Sequence, residues 1–258
     1  MAGKLESTLS ELKAANDKLH KDMDRERKQE KQRRDLFTAI SHELKTPITI
    51  LKGELGGMID NIGVYKDRDS YLQHAFKTTE QIERLVQEIL TVSRLEAKEI
   101  QLSFGYTDIG VLVNSLCHKF EDLANSQNVA ILCYCEDGVF ATVDNIQLQS
   151  AISNIISNAI FHSPTGEIVN VELEKSESFG ILTVDNVGNI NDSDLENLFE
   201  PFYRGDKSRS RYTGGSGLGL HIVKRILEMH RFTYDIRNAD EKVVFTVKFP
   251  LNESDRKA

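Results

Sequence analysis

The sequence has no long hydrophobic run, no excess of positive charge and few cysteines. No apolar run approaches the roughly 20 residues that span a bilayer, and nothing near Met1 resembles a signal peptide. Since 40 acidic residues outnumber 32 lysines and arginines, the net charge of -8 argues against a nucleic-acid-binding protein, which must neutralise phosphates. The composition, 40% hydrophobic and 28% charged, is that of a soluble globular protein, and 258 residues predict roughly two domains.

The three cysteines, Cys117, Cys133 and Cys135, are too few for a disulfide framework. Their spacing to the histidines is not that of a metal site. Cys133 and Cys135 are two residues apart in a predicted strand and therefore share one of its faces. Metal binding and redox sensing are the less favoured interpretations, and we expect a reducing compartment, the cytosol.

What the sequence does contain is a heptad pattern that runs from Leu5 to about Leu51 in alternating steps of four and three, the spacing of a coiled coil. Its polar part lies in the charged segment 24–35. That segment is either a solvated helix surface, which we favour, or a soft point through which a twist is transmitted. The predicted seam comprises Leu5, Leu9, Leu12, Asn16, Leu19, Met23, Glu26, Glu30, Arg33, Phe37, Ile40 and Leu44.

The block 41–47 reads Ser-His-Glu-Leu-Lys-Thr-Pro and lies at the end of this seam. In the heptad, His42 occupies position f, away from the seam, so its imidazole is exposed to an incoming partner. Glu43 places a carboxylate beside it, and Thr46 lies one turn along on the same face. Pro47 removes a helical hydrogen bond and predicts a kink just after the histidine.

A helical hairpin is predicted for the first part of the chain. The first helix ends near Ile59, residues 61–63 form the turn, and Asp69 or Ser70 caps a second helix. One hairpin cannot cover its own apolar stripe, so we expect a homodimer that forms a four-helix bundle. The stripe of the second helix comprises Leu72, Ala75, Thr79, Ile82, Val86 and Ile89.

After about residue 98 the pattern changes to shorter, mixed elements. Strands and helices in this mixture predict an α+β sandwich with helices on one face of a sheet. Asp144 is the expected cap of the middle helix. The predicted helices cover 108–125, 144–161 and 218–229, and the predicted strands cover 128–134, 139–143, 167–175, 179–186, 232–237 and 242–249.

Two asparagines on the middle helix are candidate metal ligands. Asn154 and Asn158 are four residues apart, on the side opposite an apolar stripe. They are either plain surface residues or hard amide ligands for Mg²⁺ that is held jointly with substrate phosphates. The stripe comprises Leu148, Ile152, Ile155, Ile156 and Ala159.

A glycine-rich stretch, Gly-Gly-Ser-Gly-Leu-Gly-Leu at 214–220, leads directly into the third helix. It is either a flexible turn or a backbone cradle for an anion at a helix N-terminus. The residues before it predict a mobile cationic lid over a polyphosphate: Arg204, Lys207, Arg209 and Arg211. Neither P-loop nor Rossmann spacing is present, which disfavours those nucleotide folds.

Taken in order, these motifs resemble the cytoplasmic part of a bacterial two-component sensor histidine kinase, from the coiled coil to Pro250. Residues 41–47 match the phosphoacceptor box, 154–159 the asparagine box, 199–204 the phenylalanine box and 215–220 the second glycine box. Residues 65–69 and 199–207 faintly resemble the glycopeptide-resistance sensor kinases.

The resemblance implies a coiled-coil signalling helix at 1–34, a dimerisation and histidine phosphotransfer domain at 35–98 and a GHKL-type ATP-binding domain at 102–251. The γ-phosphoryl group of ATP, bound with Mg²⁺, would pass to a nitrogen of His42, with Glu43 as base or orienting carboxylate. Phosphate would then move to an aspartate of a separate response regulator. Thr46 would hold a water for the reverse, phosphatase, reaction.

The resemblance also implies a nucleotide site, in which Asn158 coordinates the metal and Asn154 assists. Phe161 and His162 stand where the family often has a lysine and a tyrosine, which predicts weaker ATP binding. The implied cofactor-binding residues are Asn154, Asn158, His162, Asp185, Asn186, Gly188, Arg204, Gly215, Gly217, Leu218, Gly219 and Leu220.

The first glycine box departs from the family pattern Asp-x-Gly-x-Gly, whose aspartate binds the adenine amino group. Residues 185–190 read Asp-Asn-Val-Gly-Asn-Ile. Without a gap, Asp185 is the adenine residue, and Val187 and Asn189 replace both glycines. With one residue deleted before Ile190, Asn186 begins an Asn-x-Gly variant instead. Both alignments remain open at this stage.

Three hypotheses follow for the function. The leading one is an ATP-dependent protein-histidine kinase. The second, motivated by the altered glycine box, is a phosphatase or scaffold that binds nucleotide poorly. The third, another GHKL ATPase, is disfavoured by the block 41–47 and the dimer hairpin. Because the chain opens inside a coiled coil, we expect it to be part of a longer membrane receptor, in contact with the membrane only through a missing N-terminal region.

Overall fold

The computed structural model describes residues 2–97, 99–205 and 215–251. Its contacts divide the chain into two compact units, with the division after Ile82. The first unit is a helical hairpin, and the second joins the end of that hairpin's second helix to an α/β domain. This matches the predicted fold class, α-helical hairpin followed by an α+β sandwich.

Helix α1 runs from Ala2 to Ile59 without interruption, and Pro47 lies inside it. The predicted end at Ile59 is therefore confirmed. Several seam side chains are exposed on this helix: Leu12, Leu19, Met23 and Phe37. Apolar side chains at heptad spacing gain stability only when another helix covers them.

A short turn joins α1 to the second helix. Gly63–Lys66 forms one 3₁₀ turn, and the ring of Tyr65 lies so close to Gly57 that a Cβ atom there would clash with it. Arg68 donates a hydrogen bond from Nη2 to the carbonyl of Met58 at 3.2 Å. These contacts fix where the chain reverses.

Helix α2 spans Arg68–Glu96, so the predicted caps Asp69 and Ser70 are wrong. Both residues lie inside the helix. The capping side chain is that of Asp67, whose Oδ1 accepts from the backbone N–H of Ser70 at 3.3 Å. An aspartate side chain bonds best to the N–H two or three residues ahead, which places the cap one residue before the first helical one.

The described residues of the second unit form two sheets. Strands β1 (Gly105–Asp108) and β3 (Phe140–Val143) form an antiparallel pair. The main sheet has the order β2-β4-β5-β7-β6, with β2 parallel to β4 and the other neighbours antiparallel. Its strands are β2 (Ala130–Cys135), β4 (Ile168–Lys175), β5 (Phe179–Val187), β6 (Thr233–Ala239) and β7 (Lys242–Pro250).

Among the described residues of this unit, three long helices and one short helix accompany these strands. They are α3 (Ile109–Ser126), α4 (Asn145–His162), α5 (Asp192–Leu195) and α6 (Gly219–His230). As predicted, Asp144 caps α4, since its Oδ1 accepts from the N–H of Gln147 at 3.0 Å. Its Oδ2 also accepts from the N–H of Ser103, which ties the segment before β1 to this helix.

The core lies between the main sheet and α3, α4 and α6. Alternate residues of each strand face it, as the period of two requires. The core-facing strand residues are Val169, Val171 and Leu173 of β4, Leu182 and Val184 of β5, and Phe245, Val247 and Phe249 of β7. All five residues of the predicted α4 stripe are buried.

Strand and helix ends differ from the predictions by one or two residues. Asn128 was predicted within a strand, but it has a φ of 55°, and β2 begins at Ala130. Phe232 likewise precedes β6, because Arg231 ends α6 in the left-handed conformation with a φ of 58°. Neither β1 nor α5, each of four residues, was predicted, although the equally short β3 was.

Candidate functional site

The block 41–47 lies within α1, where it covers about two helical turns. The side chains of His42 and Thr46 are exposed, and that of Glu43 is half-buried. The hydroxyl of Thr46 donates to the backbone carbonyl of His42 at 3.3 Å, so the two residues share one face as predicted. An exposed imidazole with a neighbouring carboxylate can accept a group from a second protein surface.

Helix α4 places Asn154 and Asn158 against the start of α6. A Cβ atom at Gly219 would stand 2.8 Å from Oδ1 of Asn154 and 3.8 Å from Nδ2 of Asn158. Because Asn154 donates its Nδ2 to the carbonyl of Ser150, its oxygen is the atom that faces the glycine. The two amides are half-buried, so the plain-surface interpretation does not describe them.

The N-terminus of α6 provides backbone donors at the same place. Its N-cap position, Leu218, makes no side-chain capping bond. The first N–H groups of a helix have no partner within it, and they sit at the positive end of the helix dipole. Such groups beside two side-chain amides can receive phosphate oxygens together with a hard cation.

The loop before α6 is fixed by a close backbone approach. Gly217 has a φ of 76°, and a Cβ atom on it would lie 2.8 Å from the backbone of Phe202. Gly217 accepts a hydrogen bond from the N–H of Phe202 at 3.0 Å, and Phe202 itself has a φ of 63°. Only glycine tolerates both the conformation and the proximity. The second glycine box is thereby joined to the phenylalanine box.

Aromatic and histidine contacts hold the phenylalanine box on the domain. The ring of Phe199 packs edge-to-face on Tyr234 and Phe245. Its carbonyl accepts from Nδ1 of His221 on α6 at 3.0 Å. Tyr203 donates its hydroxyl to Asp194 of α5 at 2.5 Å. Sequence reasoning did not identify His221, because a single histidine in a helix carries no motif.

Strand β5 separates the two candidates for the adenine contact. Asn186 is 5% exposed and has the same parity as Leu182 and Val184, so it faces the helices. Asp185 faces the other side of the sheet. There its Oδ1 accepts from Lys242 Nζ at 2.8 Å and from Asn170 Nδ2 at 2.9 Å. The alternation of the strand therefore favours the Asn-x-Gly alignment.

Gly188 and the end of α4 lie next to Asn186. A Cβ atom at Gly188, whose φ is 156°, would be 3.6 Å from Nδ2 of Asn186 and 3.9 Å from the carbonyl of His162. Although the His162 residue is exposed, partial loss of solvent lowers the pKa of its imidazole, and the nearby Arg204 guanidinium lowers it further. Gly188 thus lies beside both Asn186 and the backbone of His162, and Arg204 lies near the His162 imidazole.

The remaining predicted residues have different positions. Leu218 is fully buried, so its side chain packs in the core and only its backbone can meet a ligand. Gly215 is exposed, and Leu220 is half-buried in the first turn of α6. The predicted lid residues Lys207, Arg209 and Arg211, with Gly214, lie outside the described residues.

The end of α2 contacts α6 within the second unit. Glu96 Oε1 lies 3.1 Å from Nε of Arg225 and 3.4 Å from Nε2 of His221. The hydrogen bond from His221 lowers the pKa of Glu96, with Arg225 adding to the effect. About two turns earlier on α2, Glu88 accepts a hydrogen bond from the hydroxyl of Ser216. Burial raises the pKa of the Glu88 carboxyl.

The fold and these residues define a class of protein. Its members combine an exposed histidine on a helical hairpin with an α/β domain that has the features of a nucleotide site. Two family models match the chain. One, described as the His Kinase A (phospho-acceptor) domain, covers residues 32–98. The other, described as histidine kinase-, DNA gyrase B- and HSP90-like ATPase, covers residues 143–253 and marks the second unit as an ATP-binding fold. The chain belongs to the two-component sensor histidine kinases.

Individual relatives agree with this family. Sensor protein VanSB of Enterococcus faecalis is 36% identical over 251 residues, 97% of this chain and 56% of its own length. This match supports the resemblance to the glycopeptide-resistance sensor kinases that residues 65–69 and 199–207 predicted. The structure of histidine kinase AdeS of Acinetobacter baumannii is 28% identical, with a TM-score of 0.68 over 82% of this chain and 98% of AdeS.

A more distant structure shares the fold alone. Histidine kinase ThkA, solved in complex with the response regulator protein TrrA, is 21% identical, with a TM-score of 0.70 over 87% of this chain and 63% of ThkA. The present chain thus spans 56% of VanSB and 63% of ThkA. Within the described parts of the chain, no helix combines the length and the apolar character needed to cross a bilayer.

Proposed function

We propose that this chain carries the catalytic part of an ATP-dependent protein-histidine kinase, in which the γ-phosphoryl group of ATP is transferred to His42. The observation that supports this most is the meeting of Asn154 and Asn158 with the open N-terminus of α6. An exposed acceptor histidine with an adjacent carboxylate lies on the same chain. The proposal also follows the activity named for the relatives.

In this mechanism the second unit holds the donor. The backbone N–H groups at the start of α6 receive phosphate oxygens. Asn158, with Asn154 assisting, would hold Mg²⁺ through its side-chain amide, and the cation would neutralise charge on the phosphates when bound. The Asn154 amide can take this position only because residue 219 is a glycine, since a Cβ atom there would stand 2.8 Å from its Oδ1.

Asn186 is the proposed contact for the adenine base. Its position on the core face lets Oδ1 accept a hydrogen bond from the 6-amino group, while Gly188 keeps the neighbouring backbone free of a side chain. An amide carries no charge, so its burial costs less than that of an aspartate. This offers a physical reason for the departure from the family's aspartate.

Arg204 is proposed to replace the positive charge of the family lysine that is missing beside the asparagine box. It lies near His162 at the end of α4, where loss of solvent and, to a smaller extent, the charge of Arg204 lower the pKa of the imidazole. Kept neutral in this way, His162 can hydrogen-bond a ligand at neutral pH without a charge of its own.

On the acceptor side, Glu43 orients the imidazole of His42 or takes its proton as the phosphorus–nitrogen bond forms. The exposed face that His42 shares with Thr46 would then meet the aspartate of a response regulator. The reverse, phosphatase, reaction would use the hydroxyl of Thr46 to hold a water. The complex of ThkA with TrrA supports a regulator as partner.

We also propose that two chains pair through the exposed seam of α1 and the stripe of α2, which gives a four-helix bundle. Since the reaction draws on the ATP pool of the cell interior, the catalytic region would lie in the cytoplasm. Attachment to a membrane through another part of the protein remains a prediction.

Incubation with γ-labelled ATP and Mg²⁺ tests the kinase proposal. Label that is lost in acid and absent from His42→Ala supports it, and His20→Ala, which alters another exposed histidine of α1, should label normally. The alternative, a nucleotide-weak phosphatase or scaffold, predicts no label together with faster loss of phosphate from a phosphorylated response-regulator receiver domain. Thr46→Ala should remove that second activity and keep the first.

A further inference from the structure

His230, the last residue of α6, is a buried histidine outside the nucleotide residues described above. The residue is 7% exposed, and both of its ring nitrogens have hydrogen-bond partners. Nδ1 lies 2.8 Å from the backbone carbonyl oxygen of Ile226, and Nε2 lies 3.0 Å from the backbone nitrogen of Asp144. The ring also contacts the rings of Phe104 and Phe232. His230 is thus held on several sides by atoms of other elements.

The two backbone partners fix the tautomer of the His230 ring. A carbonyl oxygen can only accept, so Nδ1 donates its hydrogen to Ile226. A backbone N–H can only donate, so Nε2 is the bare nitrogen that accepts from Asp144. The bond to Ile226 stays within α6, whereas the bond to Asp144 joins the end of α6 to the start of α4.

Asp144 is a firm anchor for this bond. One oxygen of its carboxylate accepts from the N–H of Gln147 and so caps α4, and the other accepts from the N–H of Ser103. Asp144 is itself only 7% exposed. Because its side chain is held by two partners, its own N–H points at Nε2 of His230 from a fixed position.

The same two helices meet again at the phosphate end of the nucleotide site. There the first residue of α6, Gly219, lies so close to α4 that a Cβ atom on it would stand 2.8 Å from Oδ1 of Asn154. Helix α6 has 12 residues, about 18 Å of a stiff rod. A displacement of its end at His230 along the helix axis is therefore passed on to Gly219.

We propose that His230 is a positioning residue for the phosphate end of the nucleotide site. Its Nε2 keeps α6 in the register at which the first N–H groups of this helix lie beside Asn154 and Asn158. His230 is at the opposite end of α6 from that site and acts through the helix. The inference rests on the proposed function for the identity of the ligand, but the register of the two helices can be measured without a ligand.

Two substitutions separate the bond to Asp144 from the packing of the ring. His230→Phe keeps an aromatic ring against Phe104 and Phe232 and removes the acceptor. His230→Gln places an amide oxygen near the position of Nε2 and so keeps an acceptor for the N–H of Asp144. A role in packing alone predicts that phenylalanine is the better replacement, whereas the positioning role predicts glutamine.

Titration of the full chain with ATP and Mg²⁺ compares these variants. We expect the Kd of His230→Phe to rise about fivefold or more, because binding must restore a register that the free protein no longer holds. His230→Gln should stay within about twofold of wild type. Asp108→Ala, which removes the cap of α3, controls for lost stability and should also stay within about twofold. An unchanged Kd in His230→Phe would overturn the proposal.

Nuclear magnetic resonance of the nucleotide-free chain measures the register itself. The side-chain amide signals of Asn154 and the backbone amide signals of Gly219 and Leu220 should shift in His230→Phe and return towards wild type in His230→Gln. Signals in His230→Phe that coincide with those of wild type, or that glutamine does not restore, would overturn the proposal. A wild-type chain that binds no ATP would instead contradict the proposed function, and these signals would still decide whether His230 sets the register.

Discussion

At the residue scale, the position of the proposed adenine contact depends on which face of strand β5 a residue occupies. Asn186 faces the helices, whereas Asp185 is paired with Lys242 on the other side of the sheet. We predict that Asn186→Ala weakens ATP binding about 10- to 100-fold, since one hydrogen bond in a buried site is lost. Asp185→Asn, the matched control, should change affinity by less than about threefold. Isothermal titration with ATP measures both, and a larger effect at position 185 would restore the ungapped alignment.

Asp144 makes more contacts than an ordinary helix cap. Its carboxylate accepts from Ser103 and Gln147, and its N–H donates to Nε2 of His230 at 3.0 Å. We expect Asp144→Ala to lower the free energy of unfolding by about 2 kcal/mol. The control is Asp108, which caps α3 by accepting from the N–H of Val111, and Asp108→Ala should cost about 1 kcal/mol. Urea unfolding followed by circular dichroism checks the difference. Equal losses would show that the bond to Ser103 adds nothing.

Much of this residue scale was predictable from the sequence. The cap at Asp144 and the exposure of His42 follow from local spacing, and the structure agrees with both. The choice between Asp185 and Asn186 was not predictable from the sequence, because it depends on which face of β5 meets the helices. The interaction of His221 with Phe199 and Glu96 was also missed, since its partners are distant in sequence.

At the element scale, the loop before α6 depends on one glycine. Gly217 has a φ of 76° and lies against the backbone of Phe202. Gly217→Ala should cost about 1–3 kcal/mol of stability and weaken nucleotide binding, because the backbone must move. Gly105→Ala, where a Cβ atom meets nothing within 4 Å, is the control and should be nearly neutral. Thermal unfolding and ATP titration of both variants decide; an unaffected Gly217→Ala would refute the close-approach argument.

The contact of α2 with α6 should be sensitive to acid. The pKa of Glu96 lies below its ordinary value of 4.5, so its ionised form stabilises the fold above that value and the contribution is lost as pH falls through the lowered pKa. Because Glu96 is 44% exposed, Glu96→Gln should cost only about 0.5 kcal/mol at pH 7. The difference from wild type should persist from pH 8 to pH 5 and shrink below 4.5. Urea unfolding across this range would contradict the prediction if the difference grew in acid.

Element positions were predicted well where periodicity was long and poorly where it was short. Helices α1 and α4 and strands β4, β5 and β7 end within two residues of the predicted bounds. Strand β1 and helix α5, with four residues each, were missed, whereas the equally short β3 was predicted because apolar residues recur at positions 139, 141 and 143. The predicted cap of α2 was wrong because the sequence offers three good capping residues, Asp67, Asp69 and Ser70, and the structure uses the first of them.

At the scale of the whole molecule, two compact units carry the two halves of one proposed reaction. The donor residues belong to the second unit, and His42, Glu43 and Thr46 belong to the first. The family was predictable from four motifs in order, and the matched models confirm it. The pairing of chains depends on surfaces of a second copy, which a single sequence does not position.

Peptide mapping after incubation with ATP and Mg²⁺ tests the proposed reaction most directly. Trypsin releases peptide 35–45, in which His42 is the only histidine and Thr38 and Ser41 are the only hydroxyl residues. We predict one phosphoryl group on this peptide, lost in acid, retained at alkaline pH and absent when Asn158 is replaced by alanine. An acid-stable phosphoryl group on Thr38 or Ser41, or none on this peptide, would contradict His42 as the acceptor.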